Sequence, residues 1–237
     1  TLNPVELSPD FLHRVLEWAA ALPALRGVSL DSREAFVTSQ RVREAARALG
    51  AGRFLHPILG LESARESVRN LVLDKRMSDG AIRRAFSNVA AVAREGLEAS
   101  MDCNVVLGGL GTSAGDAVAD AVETGRFAFD LGRASGLVVD LNLHPYYPSE
   151  RGRSRFPQHG RCSLNLALRA VEGLDALRRE LSPRSRLFIG WQDEGHDQDQ
   201  EVRRLELSIA RASFERFNRT QDWQALRACR SRDTPPG

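Results

Sequence analysis

Polar side chains stand at the ends of five apolar runs in this chain of 237 residues. They are carboxylates, an amide and an imidazole, at Asp31, Glu62, Asn142, His144 and Asp193. Such groups accept hydrogen bonds, hold cations or exchange protons. Because functional groups of parallel sheets lie beyond the carboxyl ends of the strands, these five residues are the first candidates for a functional site.

The elements that must position these residues follow a repeating β/α pattern. The apolar runs cover residues 28–31, 54–62, 104–108, 137–144 and 187–193, and a helical pattern follows each of them. Alternating strands and helices predict a parallel sheet. The predicted fold is therefore α/β, a partial (β/α) barrel of parallel strands over residues 1–195, with a C-terminal helical extension over 196–237.

The fourth run carries the clearest alternation of side chains. Leucine and valine occupy one face, whereas Asp140, Asn142 and His144 fall on the other face, because side chains alternate along a strand. In a helix-covered parallel sheet, polar residues on the second face indicate a wet lumen or cleft. A strand in a solvated sandwich would alternate in the same way, so both interpretations stay open.

Composition excludes several classes of function. The net charge of +2, from 33 cations and 31 acids, argues against a strong nucleic-acid footprint, although a weak RNA contact stays open. No apolar stretch is long enough to predict a membrane span. The three cysteines lie at wide, irregular spacing, which predicts a reduced, cytoplasmic protein without a disulfide framework. No metal ligand is predicted, and His56 is interpreted as a core or edge histidine.

Several short motifs occur in an order that resembles a known family. They read Asp31-Ser32-Arg33-Glu34-Ala35-Phe36, Gly60-Leu61-Glu62-Ser63, Leu73-Asp74-Lys75, Leu107-Gly108-Gly109-Leu110-Gly111-Thr112 and Asn142-Leu143-His144-Pro145. Together they resemble radical S-adenosylmethionine (radical SAM) enzymes, in particular the branch with the elongator-type and archaeosine-forming tRNA-modifying proteins. The resemblance covers about residues 5–145 and 200–229.

The resemblance implies two cofactors, S-adenosylmethionine and a [4Fe–4S] cluster. Members of this family hold the cluster with a CxxxCxxC loop, which this sequence lacks. The cluster ligands are therefore expected outside this chain, which would be the C-terminal two-thirds of the domain. The whole protein would cleave S-adenosylmethionine to a 5′-deoxyadenosyl radical that abstracts hydrogen from a tRNA or a small metabolite. No catalytic residue and no oligomeric state are assigned.

The resemblance also assigns roles within the cofactor site. Glu62 corresponds to the residue that binds the ribose hydroxyls, and Lys75 to a cation for the cofactor's carboxylate. Glu62 as an acid at a helix N-terminus and Lys75 as a surface lysine are the alternatives. The expected cofactor contacts are Asp31, Arg33, Glu62, Ser63, Lys75 and Asn142.

Three residues are expected to face the substrate: His144, Asp193 and His196. The acidic segment 193–199 surrounds His196 and follows the fifth run. Its groups suit a metal, a substrate contact or acid–base chemistry, and a solvated loop that caps the next helix is the alternative. Two other functions also stay open. The chain would then be a cluster-free, degenerate relative that binds a ligand or a partner, or an unrelated barrel-type lyase or hydrolase that uses Asp31, Glu62 and His144.

Overall fold

A computed structural model describes residues 1–108, 113–146, 162–190, 201–226 and 229, with the backbone alone over 201–209. Asp193, His196 and the acidic segment 193–199 lie outside the described residues, as does the predicted domain boundary between residues 195 and 196.

The predicted α/β fold is confirmed as a five-stranded parallel sheet. The order of strands in the sheet is their order along the chain. The strands are β1 (Gly27–Ser32), β2 (Phe54–Glu62), β3 (Met101–Leu107), β4 (Val139–Pro145) and β5 (Leu187–Ile189). All five predicted runs thus contribute a strand, and the β2 bounds agree with the prediction.

Helices follow the strands as the sequence pattern predicts. They are α1 (Pro9–Ala20), α2 (Ser39–Leu49), α3 (Asp79–Arg94), α4 (Ala114–Ser135), α5 (Leu164–Leu181) and α6 (Glu201–Thr220). Five of them begin with a hydroxyl cap, which accepts a hydrogen bond from a backbone N–H three residues later. The capping residues are Ser8, Thr38, Ser78, Ser113 and Ser163.

The sequence pattern predicts helices over residues 65–73 and 79–99, and the structure differs from both predictions. The helix predicted over residues 79–99 ends at Arg94, because the backbone at Gly96 takes a left-handed conformation with φ +84°. The segment predicted as a helix over 65–73 contains a π-helical turn, Val68–Val72. A π turn widens the backbone ladder locally and often accompanies a functional site.

Burial alternates along the strands and separates two faces. In β2, Leu55, Pro57, Leu59 and Leu61 are buried, whereas the residues that alternate with them are more exposed. The same alternation occurs in β4, where the predicted polar face of Asp140, Asn142 and His144 is the more exposed face. The apolar face meets helices: a Cβ at Gly132 of α4 would lie 2.5 Å from Val139 Cγ2. One face of these strands is therefore core and the other is polar.

The chain divides into two compact units. The first comprises Thr1–Asn104 and Phe127–Asp140, and the second comprises Val105–Arg126 and Leu141–Gly237. In the first unit the N-terminal segment packs on β1, where the buried Leu2 donates its backbone N–H to Ser32 Oγ at 3.1 Å. Among the described helices, none combines the length and apolar character that a bilayer crossing requires.

Candidate functional site

A cavity of about 300 Å³ lies in the first unit, where β1 and β2 reach their carboxyl ends. We call it the carboxyl-edge pocket; its lining includes Asp31, Arg33, Gly60, Glu62, Lys75 and Asn104. Four of the residues assigned to a cofactor from the sequence, separated by up to 44 positions, line this one pocket.

An ion pair forms the centre of the carboxyl-edge pocket. Lys75 Nζ donates to Glu62 Oε1 at 2.8 Å, and the exposed fractions of these side chains are 32% and 12%. Glu62 ends β2 in a left-handed conformation with φ +63°. A non-glycine residue there costs on the order of 1–3 kcal/mol and persists only where its surroundings hold it. The turn directs the last side chain of β2 toward the lysine.

The loop that carries Lys75 is constrained on both sides of it. Asp74 and Arg76 both take left-handed backbone conformations, each with φ +52°. The guanidinium of Arg33, at the end of β1, donates to the backbone carbonyl of Lys75. Two left-handed residues around one lysine present its side chain to the pocket, and the contact from Arg33 ties that loop to β1.

Arg69 lies beneath this loop, fully buried, and joins the two segments that carry the ion pair. Its guanidinium donates to the backbone carbonyls of Ser63 at 2.9 Å and Met77 at 2.9 Å. It also pairs with Asp79 at 2.5 Å. Because Ser63 follows Glu62 and Met77 follows the Lys75 loop, one side chain holds both walls of the pocket. Arg69 is thus a positioning residue.

Asn70 adds further hydrogen bonds to the same loop. Its side-chain oxygen accepts from the Met77 N–H at 2.7 Å and its amide donates to the Met77 carbonyl at 3.1 Å. The Arg69 carbonyl accepts from the Lys75 N–H at 3.0 Å. A buried backbone group without a partner is costly, so these bonds explain how an irregular loop stays ordered beside the strand end.

A missing side chain leaves room beside the ion pair. At Gly60, an added Cβ would lie 3.1 Å from Glu62 Oε1 and 3.2 Å from Lys75 Nζ. Both distances are tighter than ordinary van der Waals contact, so any side chain at this position would push the charged groups apart. Glycine therefore keeps this part of the pocket open.

The side chains that line the pocket include more acidic than basic groups. Four carboxylates and two cationic groups line it, namely Glu6, Asp31, Glu62, Asp74, Arg33 and Lys75. A carboxylate accepts hydrogen bonds from ribose hydroxyls and attracts an ammonium or sulfonium charge. The two cations offer donors to a carboxylate on the same ligand.

The other sequence-assigned residues lie elsewhere. Ser63 is fully buried, and its hydroxyl accepts from the Arg65 N–H at 3.1 Å rather than lining the pocket. Asn142 and His144 belong to the second unit, on the more exposed face of β4. A Cβ at Gly190, directly after β5, would lie 3.0 Å from His144 Nδ1, so the imidazole lies beside that backbone.

Sequence reasoning missed Gly60, Arg69 and Asn104 as parts of the site. Asn104 was placed at the start of a strand, yet it shares the polar face of β3 with Asp102, which the alternation Asp102-Cys103-Asn104 already indicates. Arg69 had no distinguishing signal, because all but one of the 33 basic residues are arginines.

A second polar group lies nearer the amino ends of the strands. His56 Nδ1 lies 2.9 Å from Asp102 Oδ1, and Asp140 stands close by. Burial opposes a charge on His56, but the hydrogen bond to Asp102 and the charges of Asp102 and Asp140 outweigh it and raise the histidine's pKa. The sequence predicts a core or edge histidine at position 56, and in the structure His56 is half-buried on the polar face of β2.

The cysteines do not fit cluster ligation. All three are buried, and Cys103 and Cys162 stand on different elements. Burial, with the nearby charges of Asp102 and Glu62, raises the pKa of the Cys103 thiol well above its usual range. Burial raises the pKa of Cys162 to about 12. Cluster ligands are cysteine thiolates, and positions 103, 162 and 229 do not form the CxxxCxxC loop of the family that the sequence resembles.

Comparison with known proteins assigns no family to this chain. No protein-family model matches it, and no curated protein matches it. The residues and contacts described above therefore carry the functional argument.

Proposed function

We propose that this chain is the cofactor-binding and substrate-facing part of a radical SAM enzyme, and that the carboxyl-edge pocket binds S-adenosylmethionine. The observation that carries the proposal is the convergence of Asp31, Arg33, Glu62 and Lys75 on one cavity at the carboxyl ends of two parallel strands. The cavity volume, about 300 Å³, falls at the lower end of the range for small-molecule sites.

The sheet supports a partial (β/α) barrel as the architecture of this part. Its five parallel strands follow one another in chain order. Right-handed connections between such strands put all the helices on one face, and the alternating burial of β2 and β4 fits that arrangement. A polar second face is unusual for an open parallel sheet and is compatible with a wet lumen or cleft.

The pocket chemistry suits S-adenosylmethionine. Glu62 would accept from the ribose hydroxyls, and Asp31 and the other carboxylates would favour the sulfonium and ammonium charges. Arg33 and Lys75 would donate to the carboxylate of the cofactor. The space beside Gly60 is where a bound group meets both Glu62 and Lys75.

In radical SAM enzymes the cluster and the cofactor together supply a 5′-deoxyadenosyl radical for hydrogen abstraction. The buried cysteines of this chain do not fit the [4Fe–4S] cluster, so no step of the present proposal passes through it. This chain's own residues bind and orient the cofactor. Lys75 must shift or share its contact with Glu62 when a ligand enters, because the two side chains now satisfy each other.

The substrate side of the proposal rests on β4. Asn142 and His144 lie on its more exposed face, as donors and acceptors for a substrate. The nearly neutral chain, with a net charge of +2, gives no electrostatic preference for tRNA over a small metabolite.

Equilibrium binding of S-adenosylmethionine, measured by calorimetry, tests the proposal. We expect Glu62→Gln to weaken binding by about 10- to 100-fold, because a hydrogen bond to a charged group contributes about 1.5–3 kcal/mol. Glutamine keeps the volume and removes the charge. S-Adenosylhomocysteine, which lacks the sulfonium charge, should bind the native chain more weakly than S-adenosylmethionine.

Glu215→Gln is the matched control. Glu215 is exposed on α6 and accepts from Arg211 at 3.2 Å, so this variant removes an ion-paired glutamate that does not line the pocket. The proposal is wrong if the native chain does not bind S-adenosylmethionine, or if Glu62→Gln and Glu215→Gln bind it equally well.

The lack of a CxxxCxxC loop in this sequence leaves a second candidate, a cluster-free protein that binds a ligand or a partner. The two candidates differ in one product, 5′-deoxyadenosine. Anaerobic reconstitution of the whole protein that contains this chain, with iron, sulfide, a reductant and S-adenosylmethionine, would form 5′-deoxyadenosine only if a cluster assembles in it. A complete lack of that product together with retained ligand binding favours the second candidate.

A further inference from the structure

Three polar side chains on neighbouring strands meet near the amino end of the sheet, away from the carboxyl-edge pocket. His56 comes from β2, Asp102 from β3 and Asp140 from β4. All three belong to the first unit. Each stands within the first three residues of its strand and on the same polar face, so the regular register of the sheet brings them together.

The geometry of this group suits a shared cation. One nitrogen of His56 and one oxygen each of Asp102 and Asp140 all lie within 4.8 Å of one another. Ligand atoms about 2.0–2.2 Å from a tetrahedral zinc ion lie about 3.3–3.6 Å apart. Side-chain shifts on the order of 1 Å therefore bring the three atoms to bonding distance. Among the described residues, this is the group that offers such a set.

Charge and burial also favour a cation between these three side chains. Asp102 is 8% exposed and His56 is 23% exposed in their side chains. Two carboxylates this close to each other in a partly buried place repel one another. A dication between the two carboxylates attracts both of them at once. A neutral imidazole with two carboxylates is a donor set that transition-metal dications accept.

We propose that His56, Asp102 and Asp140 form a binding site for a divalent first-row transition-metal ion, with zinc as the best fit. An imidazole among the ligands favours zinc over magnesium or calcium, which prefer oxygen donors alone. Three protein ligands leave a coordination position for water or a ligand. The site is separate from the carboxyl-edge pocket and does not depend on the function proposed for it.

Zinc titration of the chelator-treated chain tests the site. Calorimetry should report one ion per chain, and cobalt(II), as a spectroscopic probe, should give visible absorption typical of nitrogen and oxygen ligands. His56→Gln and Asp140→Asn should each weaken zinc binding by at least about 10-fold, because even losing a residue behind the ligands costs about 10- to 100-fold.

A surface histidine provides the matched control. His13 lies 3.2 Å from Glu17 on α1, where both side chains are more than half exposed. His13→Gln removes an imidazole–carboxylate pair without the second carboxylate, so it should leave zinc affinity unchanged. Circular dichroism of each variant establishes whether it is folded.

One measurement needs no variant. In nuclear magnetic resonance spectra of the native chain, zinc should shift the ring signals of His56 and leave those of His13 in place. The proposal is overturned if the native chain binds no zinc, if saturating zinc leaves the His56 signals unchanged, or if folded Asp140→Asn binds zinc as tightly as the native chain.

Discussion

The two ends of β2 carry polar groups that are built in different ways. At the carboxyl end, Glu62 has a left-handed backbone and takes its partner Lys75 from a loop. Near the amino end, His56 lies within the regular strand and takes its partner Asp102 from β3. The six residue steps from His56 to Glu62 span about 20 Å at about 3.3 Å per residue. A site that depends on a loop adapts to its ligand, whereas a site on paired strands is fixed before the ligand arrives.

Removing the buried clamp beneath the loop should have the largest effect. Arg69→Met removes a charged donor from the Ser63 carbonyl, one of two donors from the Met77 carbonyl, and the cation that pairs with Asp79. We expect the free energy of unfolding to fall by about 2–4 kcal/mol, because the lost hydrogen bonds come from a buried charged group, whereas solvent screens the half-exposed Asp79. Urea denaturation of the native chain and the variant measures the difference.

A nearby arginine on the same loop is the control for this substitution. Arg76 pairs with Asp74 at 3.2 Å, but its side chain is 82% exposed. Arg76→Met should change the free energy of unfolding by no more than about 0.5 kcal/mol. Equal effects of the two substitutions would mean that the loop needs no buried clamp, and the contrast between the two ends of β2 would lose its basis.

Removing the loop's lysine should have a smaller effect on stability. Lys75→Met leaves the nearly buried Glu62 carboxylate without its cation. We expect a loss of about 1–2 kcal/mol, because Lys75 is itself partly exposed and solvent screens the pair. Arg133→Met, which breaks the exposed pair with Asp130 at 2.9 Å, is the comparison in the same denaturation experiment. A loss for Lys75→Met no larger than for Arg133→Met would contradict a strong ion pair at the pocket.

Filling the space beside the ion pair should weaken ligand binding with little change in the free energy of unfolding. Gly60→Ala places a methyl group against the flexible ends of Glu62 and Lys75, which can move by a few tenths of an ångström. Stability should change by less than about 1 kcal/mol, whereas affinity for S-adenosylmethionine should fall about 10-fold. Gly80→Ala, where the nearest atom lies at 3.6 Å, is the control. Unchanged affinity in Gly60→Ala would place the ligand elsewhere.

The smallest expected effect is that of a thiol reagent on the buried cysteines. Cys103 lies between Asp102 and Asn104 in β3, but its side chain belongs to the buried face. Burial raises the pKa of Cys103 and of Cys162, the latter to about 12, so both thiols stay protonated at pH 8. A thiol reagent should therefore modify neither residue until the chain is unfolded. Rapid labelling of the folded chain would mean that this face is open.

The sequence predicts the pocket better than the group at the amino end, and the reason is physical. Glu62 and Lys75 are recognisable because a strand end and a lone lysine stand out in one dimension. His56, Asp102 and Asp140 are separated by up to 84 positions and meet only through the order of strands in the sheet. Strand order depends on contacts that no local pattern contains.

The fold shows the same division between local and distant causes. Strand β2 and the caps at Ser8, Thr38 and Ser78 follow from neighbouring residues alone. The π-helical turn at Val68–Val72 does not, because it adapts the backbone to a buried arginine with partners on both sides of it. Sequence patterns of neighbouring residues do not predict this turn, because its conformation depends on the distant contacts of Arg69.

A structure of the chain determined with S-adenosylmethionine bound is the most direct test of the central claim. We predict that the ribose hydroxyls lie within hydrogen-bond distance, about 2.5–3.0 Å, of the Glu62 carboxylate, with Lys75 turned toward the carboxylate of the cofactor. A cofactor bound at another place, with the contact between Glu62 and Lys75 unchanged, would contradict the account.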